Sequence, residues 1–378
     1  MTAPAEPPLE RSVVRERGSA PDVLGAAVLG GCAVWALISA AGNGGRPEGV
    51  LLAVLAVTAG YACGRISGSL VPVATASVTA VAGLAAAIAS GQEGFGMALS
   101  VGTPPGDTGA VAGLLVLAAG AACCAATAAR LPAVRPALWL LALTITGAAL
   151  LFGSIAGFIA VLGVVLCSLA AARVRRRAAG LAGLALVTAL VVGASWAVAE
   201  QALPEGLSVS LEGQLTHYRV ALWQDAAELA KEHPLLGSGP DRFGDLSPTA
   251  TRSLDSDGTP HSAPLQQAAE QGVVGVVLLG AVYGWLMYGL ARSACSTPVT
   301  LTAGAALTAL AAVASVGNAL SFTSVTAGAG LLAGLATARP EIKPGAGPDH
   351  SSPGHSSPDH GGPGSDDPGP DPARTAPA

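Results

Sequence analysis

The chain has 378 residues, of which 51% are hydrophobic and only 11% charged, with a mean hydropathy of +0.56 and a formal net charge of -5. That balance lies outside the range of soluble globular domains and identifies an integral membrane protein, for which the net charge decides little.

Residues 1–20 carry Glu6, Glu10 and Glu16, which dilute the basic region a cleaved signal peptide needs. The first apolar run is also long enough to span, so this segment reads as a retained N-terminal segment in the cytoplasm. Apolar stretches follow at 21–41, 48–64, 69–90, 109–129, 137–152, 155–172 and 179–199, and again at 271–291, 298–316 and 319–337. Each approaches the ~17 to 25 residues that carry a helix across a ~30 Å hydrocarbon layer. Between 137 and 172 only a Gly-Ser hinge interrupts the run, which fits either a tight hairpin of two short helices or one long helix. The expected fold is all-α: a polytopic transmembrane helical bundle of about ten spans, seven in 21–199 and three in 271–338. One long external loop containing short helices, 200–270, separates the two groups.

Arginines orient the bundle. Arg65, Arg130, Arg135, Arg173, Arg175, Arg176, Arg177 and Arg292 fall in alternate short connections, and only Arg46 sits in an opposing short one. By the positive-inside bias both termini are cytoplasmic and the segment near 200–270 is external, so the expected location is the cytoplasmic (inner) membrane. The six cysteines, Cys32, Cys63, Cys123, Cys124, Cys167 and Cys295, lie in or beside apolar spans and suggest neither a disulfide framework nor a metal-thiolate site. Adjacent Cys123 and Cys124 in a run of alanines read as small packing residues. Lysine occurs only at Lys231 and Lys343, which fits coding bias better than chemistry. From 339 the composition turns to Pro, Gly, Ser, Asp and His, too poor in apolar surface to offset ordering entropy, and a disordered cytoplasmic tail over 339–378 is expected. Its His350, His355 and His360 belong to that low-complexity pattern and carry no metal assignment.

The interiors of the expected spans contain no Asp, Glu, Lys, Arg or His. Ion-coupled transport usually places such groups near the bilayer midplane, so any chemistry is moved to a membrane face. The titratable side chains concentrate in 200–270: Arg219, Arg242, Arg252, His217, His233, His261, Lys231 and several carboxylates. Helical periodicity runs from about 216 to 232, with Val220, Trp223, Ala227 and Ala230 on one stripe and a stop near His233-Pro234. Such a helix fits the membrane surface. Arg219 would then project beside Trp223 at headgroup depth, where a guanidinium forks onto a phosphate or merely anchors the helix. "PLLGSGPDRFGD" follows, and Gly237, Gly239 and Pro240 read as a turn that lets backbone approach something closely. Next, Ser262 is an N-cap candidate with Pro264 in the first helical turn, which leaves His261 just outside a helix N-terminus. That position favours the neutral imidazole, a form able to take a proton. Gln266 and Glu270 share a face of the same helix directly below it.

The order Arg219-x-x-Leu-Trp, then "HPLLGSGPDRF", then "PHSAPLQQAAEQGVVGVVLL" in one long loop resembles the O-antigen ligase and O-antigen polymerase family of bacterial polytopic membrane proteins. The resemblance is strongest over about 215–290. It implies a glycosyltransferase acting outside the cytoplasmic membrane, with three expected partners: a polyprenyl-pyrophosphate-linked glycan, a saccharide acceptor and membrane lipid. No nucleic acid, cofactor or metal is expected. Carried over residue by residue, Arg219 would hold the pyrophosphate and His261 would activate or align the acceptor hydroxyl. Arg242 and Arg252 would be further phosphate ligands, Gly237, Gly239 and Trp223 would shape the substrate site, and Glu270 would orient His261 or its helix. Arginine donors stabilise a pyrophosphate leaving group without a metal. The chain departs from the family at "FGSIAGF", where Ile155 stands in place of an arginine after Ser154, so a second phosphate ligand is missing there. Two other classes fit a greasy bundle, namely a flippase or exporter of lipid-linked substrates with no external base, and a membrane scaffold that binds partners through its tail.

Overall fold

The computed structural model describes residues 20–97, 107–152, 154–202, 217–253 and 256–339. Chain contacts divide the protein into Met1–Glu341 and Ile342–Ala378, and everything described lies in the first unit. The expectations for the first residues and for the tail beyond 339 fall outside the described residues.

All regular structure among the described residues is helical. Seven helices come first: α1 (Ala20–Asn43), α2 (Glu48–Leu70), α3 (Pro72–Met97), α4 (Asp107–Ala128), α5 (Val134–Leu151), α6 (Ile155–Ala171) and α7 (Arg177–Ala199). Three shorter ones fill the long connection: α8 (His217–Glu232), α9 (Phe243–Leu246) and α10 (Pro248–Arg252). The chain closes with α11 (Ala263–Ala291), α12 (Thr297–Val316), a 3-10 turn at Ala319–Ser321, and α13 (Thr323–Thr337). Eight of these are long and apolar enough to cross a membrane, and α6 and α13 are shorter apolar helices of 17 and 15 residues. The protein is an integral membrane helical bundle. Every apolar stretch read from the sequence is a helix, and 137–172 is the hairpin, not one long helix. Ser154 decides that point locally, because its hydroxyl caps α6 by accepting from the Gly157 N–H at 3.1 Å.

Two helices form the centre. The span of α4 is wholly buried and that of α12 largely so, with α3, α5, α6 and α13 packed around α4. By contrast α2, α5 and α7 present Leu52 and Leu55, Leu140 and Leu143, and Leu186 and Leu190 outward, the surface a bilayer covers. The closest pair is α2 with α13. A methyl group placed on Gly64 would lie 2.2 Å from the Leu331 carbonyl, and one on Gly334 would lie 2.2 Å from that of Tyr61. Small residues four apart on both helices let the backbones touch, which is how spans gain packing energy where lipid tails already match side chains in polarity.

The two ends of the bundle differ. One carries the ion pair of Arg65 with Asp22, the Arg177 guanidinium donating to the Ser293 carbonyl at 2.7 Å, and the α4–α5 connection with Arg130 and Arg135. The other collects the α1–α2 turn, the start of α6, the end of α12 and the whole of α8 to α10. There the long connection builds its own small core, in which Leu222, Trp223, Ala226 and Ala227 of α8 pack with Phe243, Ala250, Leu265, Ala269 and the end of α7. The periodicity placed α8 correctly but not its buried face. Val220 and Ala230 are only half-buried, and Leu222 and Ala226 join the stripe. Trp223, 1% exposed, is a core residue of this cap and not a membrane-surface anchor.

Candidate active site

The site is assembled where the cap meets the ends of α12 and α11. Arg219 sits in the first turn of α8, half-buried, and its guanidinium donates to the Val316 carbonyl at 3.3 Å. That carbonyl ends α12, where unpaired C=O groups and the helix dipole favour a cation. His261 follows the 256–260 turn and immediately precedes α11. It is 2% exposed and takes the left-handed backbone with φ 49°. Histidine enters that region more readily than most non-glycine residues, and a non-glycine residue held there at a site is a constraint maintained by its surroundings.

Asp257 acts electrostatically on both. Its Oδ1 lies 3.4 Å from His261 Nε2. The carboxylate is fixed by its own turn, since the Thr259 N–H and hydroxyl both donate to it at 3.1 Å, and Asn318 Nδ2 approaches the second oxygen at 3.5 Å. Asn318 comes from just beyond α12 and packs against Gly109 of α4. Burial pushes the His261 imidazole below its ordinary pKa, the Asp257 charge opposes this, and the Arg219 charge adds to the lowering. The Arg219 guanidinium is also lowered by burial and supported by Asp257. Arg219, Asp257 and His261 therefore form one electrostatic cluster, with the imidazole biased to the neutral form. With Nε2 facing the carboxylate, Nδ1 is the ring nitrogen left to accept a proton.

The remaining candidates fall elsewhere. Glu270 does not touch His261. It is 3% exposed, accepts from Gln266 Nε2 at 3.3 Å, and its carbonyl accepts from the Gly239 N–H at 2.9 Å. Its backbone carbonyl holds the 237–243 turn, it lies in α11, the helix expected to be oriented with His261, and the carboxylate beside His261 Nε2 is that of Asp257. The close approach foreseen for Gly237 and Gly239 is to the chain's own residues, to backbone at Gly237 and to side chains at Gly239. Gly237 has φ +67°, and a methyl group there would sit 2.3 Å from the Glu270 carbonyl carbon. Gly239 has φ +100° and packs on Asn43 and Arg242. The facing Gly272 also has positive φ and kinks α11, with the Leu235 carbonyl 2.3 Å from where its methyl group would be. Arg242 is half-buried, donates to the Asn43 carbonyl at 2.8 Å and leaves its Nε without a partner. Arg252 is exposed at the end of α10. Ser262 holds the N-cap position foreseen for it, but its hydroxyl makes no cap bond and is buried without a partner, as are Tyr218 Oη and Trp223 Nε1. Asp257 and Asn318 were missed by sequence reasoning. The only trace of the first is the Asp-Gly turn signal of "DSDG", and nothing local marks the second.

Residues 138–280 match the family model described as O-antigen ligase. Over that segment, less than half of the chain, the protein is similar to the O-antigen ligase family. The matched segment begins in α5 and ends within α11, so it includes Arg219, Asp257 and His261 but not Asn318. No curated protein matches the chain. Ser154, where the family resemblance leads one to look for a following arginine, is an N-cap, and Ile155 after it is 60% exposed.

Proposed function

We propose that the protein is a membrane glycosyltransferase that moves a glycan from polyprenyl pyrophosphate to a saccharide or surface acceptor, at the end of the bundle that carries α8 to α10. The match of residues 138–280 to the O-antigen ligase family model supports transfer of the ligase or polymerase kind, with a lipid-linked glycan and a saccharide acceptor as partners. The observation that carries the finer reading is a guanidinium and a neutral-biased imidazole that both feel the charge of one carboxylate.

In this reading the acceptor hydroxyl oxygen attacks the anomeric carbon while the bond from that carbon to the pyrophosphate oxygen breaks. His261 Nδ1 takes the hydroxyl proton, Asp257 stabilises the imidazolium that forms, and Arg219 neutralises charge growing on the departing pyrophosphate. Proton removal by a placed histidine is worth ~10²–10⁴ in rate. The arginine-bearing loops at the opposite end support placing that end in the cytoplasm, with the site outside the cytoplasmic membrane.

The test is to replace Arg219 and His261 separately by alanine and follow glycan chain length and accumulation of the lipid-linked precursor. Shortened or absent chains with accumulated precursor are expected for both. Two variants that match the parent would remove the enzyme reading and leave export of a lipid-linked substrate, which requires no base at this place.

A further inference from the structure

At the end of the bundle opposite the candidate active site, the α4–α5 connection encloses a cleft of about 410 Å³ lined by Ala129, Arg130, Leu131, Pro132, Arg135, Pro136 and Trp139. Arg130 and Arg135 are exposed, and among the described residues no carboxylate pairs with either. Two prolines stiffen the connection, so the guanidinium-bearing backbone is held in place before anything binds. Trp139 is half-buried against the Leu138 and Leu335 cluster, with an indole at the cleft wall, the amphipathic ring that favours headgroup depth. Below the cleft the surface changes character at once. Leu140 and Leu143, 62% and 58% exposed, continue along α5 from Pro136 at helical spacing, forming an apolar track that leads away from the two arginines.

We propose that this cleft holds the phosphate of an anionic phospholipid, with Arg130 and Arg135 on the headgroup and the acyl chains laid along Leu140 and Leu143. Arginine matches phosphate oxygens through paired N–H donors, and a cleft of this size suits a headgroup. A free phosphate compound offers the same oxygens but has nothing to continue onto the bilayer-covered track, so the continuity of the cleft with that track is what favours lipid. The site is independent of the chemistry proposed at the other end.

The full chain in detergent, titrated with phosphatidylglycerol or phosphatidylcholine and read by native mass spectrometry, tests this. The parent should retain phosphatidylglycerol about tenfold more strongly than phosphatidylcholine, and the double variant R130Q/R135Q should lose that preference. A control, R173Q/R175Q, removes the same charge at the same end outside the cleft and should keep it. Equal loss in both double variants, or no preference in the parent, would overturn the site. Displacement of the lipid by an equal concentration of glycerol phosphate would assign the cleft to a soluble ligand and overturn the lipid reading. All variants change exposed side chains only, and an unchanged thermal unfolding temperature verifies their fold.

Discussion

At the scale of single residues the cluster of Arg219, Asp257 and His261 turns on one proton. The folded-state pKa of His261 lies below the ordinary 6.5, so the neutral base survives into more acid solution. The acid limb of kcat/KM for glycan transfer should therefore fall below 6.5, as a pH profile of the parent will show. The same shift gives the sign of a stability effect. Because the folded state resists protonation of this group, its contribution is complete above 6.5 and declines as the pH falls below that value. Asp257 raises the imidazole pKa, so D257N should move the acid limb further toward acid while lowering the rate by on the order of tenfold or more. An unmoved limb would detach the carboxylate from the imidazole. Sequence reasoning found His261 and Arg219 because each sits at a fixed offset from an apolar or turn signal. Asp257 carries only a turn signal that says nothing of chemistry, and its contact with Asn318 exists only once the 256–260 turn meets the chain beyond α12. Glu270 was legible as a helix residue below His261, while the bond from its carbonyl to the Gly239 N–H appears only in the folded chain, where it also accepts from Gln266 on its own helix.

At the scale of elements, long helices were legible and their neighbours were not. Lipid leaves a spanning backbone no water to bond with, so each span is written as an unbroken apolar run. That rule gives existence and rough ends for ten helices. It does not say that α4 is enclosed while α7 faces outward, since both are apolar all round. Nor does it separate α9 from α10, which together are shorter than one apolar stretch. Two contacts at this scale are testable by thermal unfolding in detergent. Gly272 combines positive φ with a carbonyl 2.3 Å from a would-be methyl group, so G272A should destabilise by at least about 1–3 kcal/mol. G334L should lower the unfolding temperature by wedging α13 from α2, whereas G147L, on a glycine with open space around it, should not.

At the scale of the whole molecule the two ends carry different chemistry, one basic and built from short turns, the other capped by α8 to α10. The sidedness is checked by chemistry on cells. In a background whose native cysteines are replaced by serine, R252C should react with an impermeant maleimide on intact cells, and R175C only after permeabilisation. The cap also leans on what comes after it in the chain, because Arg219 donates to Val316 and Asp257 is approached by Asn318, both beyond α11. A chain interrupted after α11 would hold Arg219, Asp257 and His261 and lack both contacts that steady them. The end of α12 and the residue just beyond it are thus the latch of the cap.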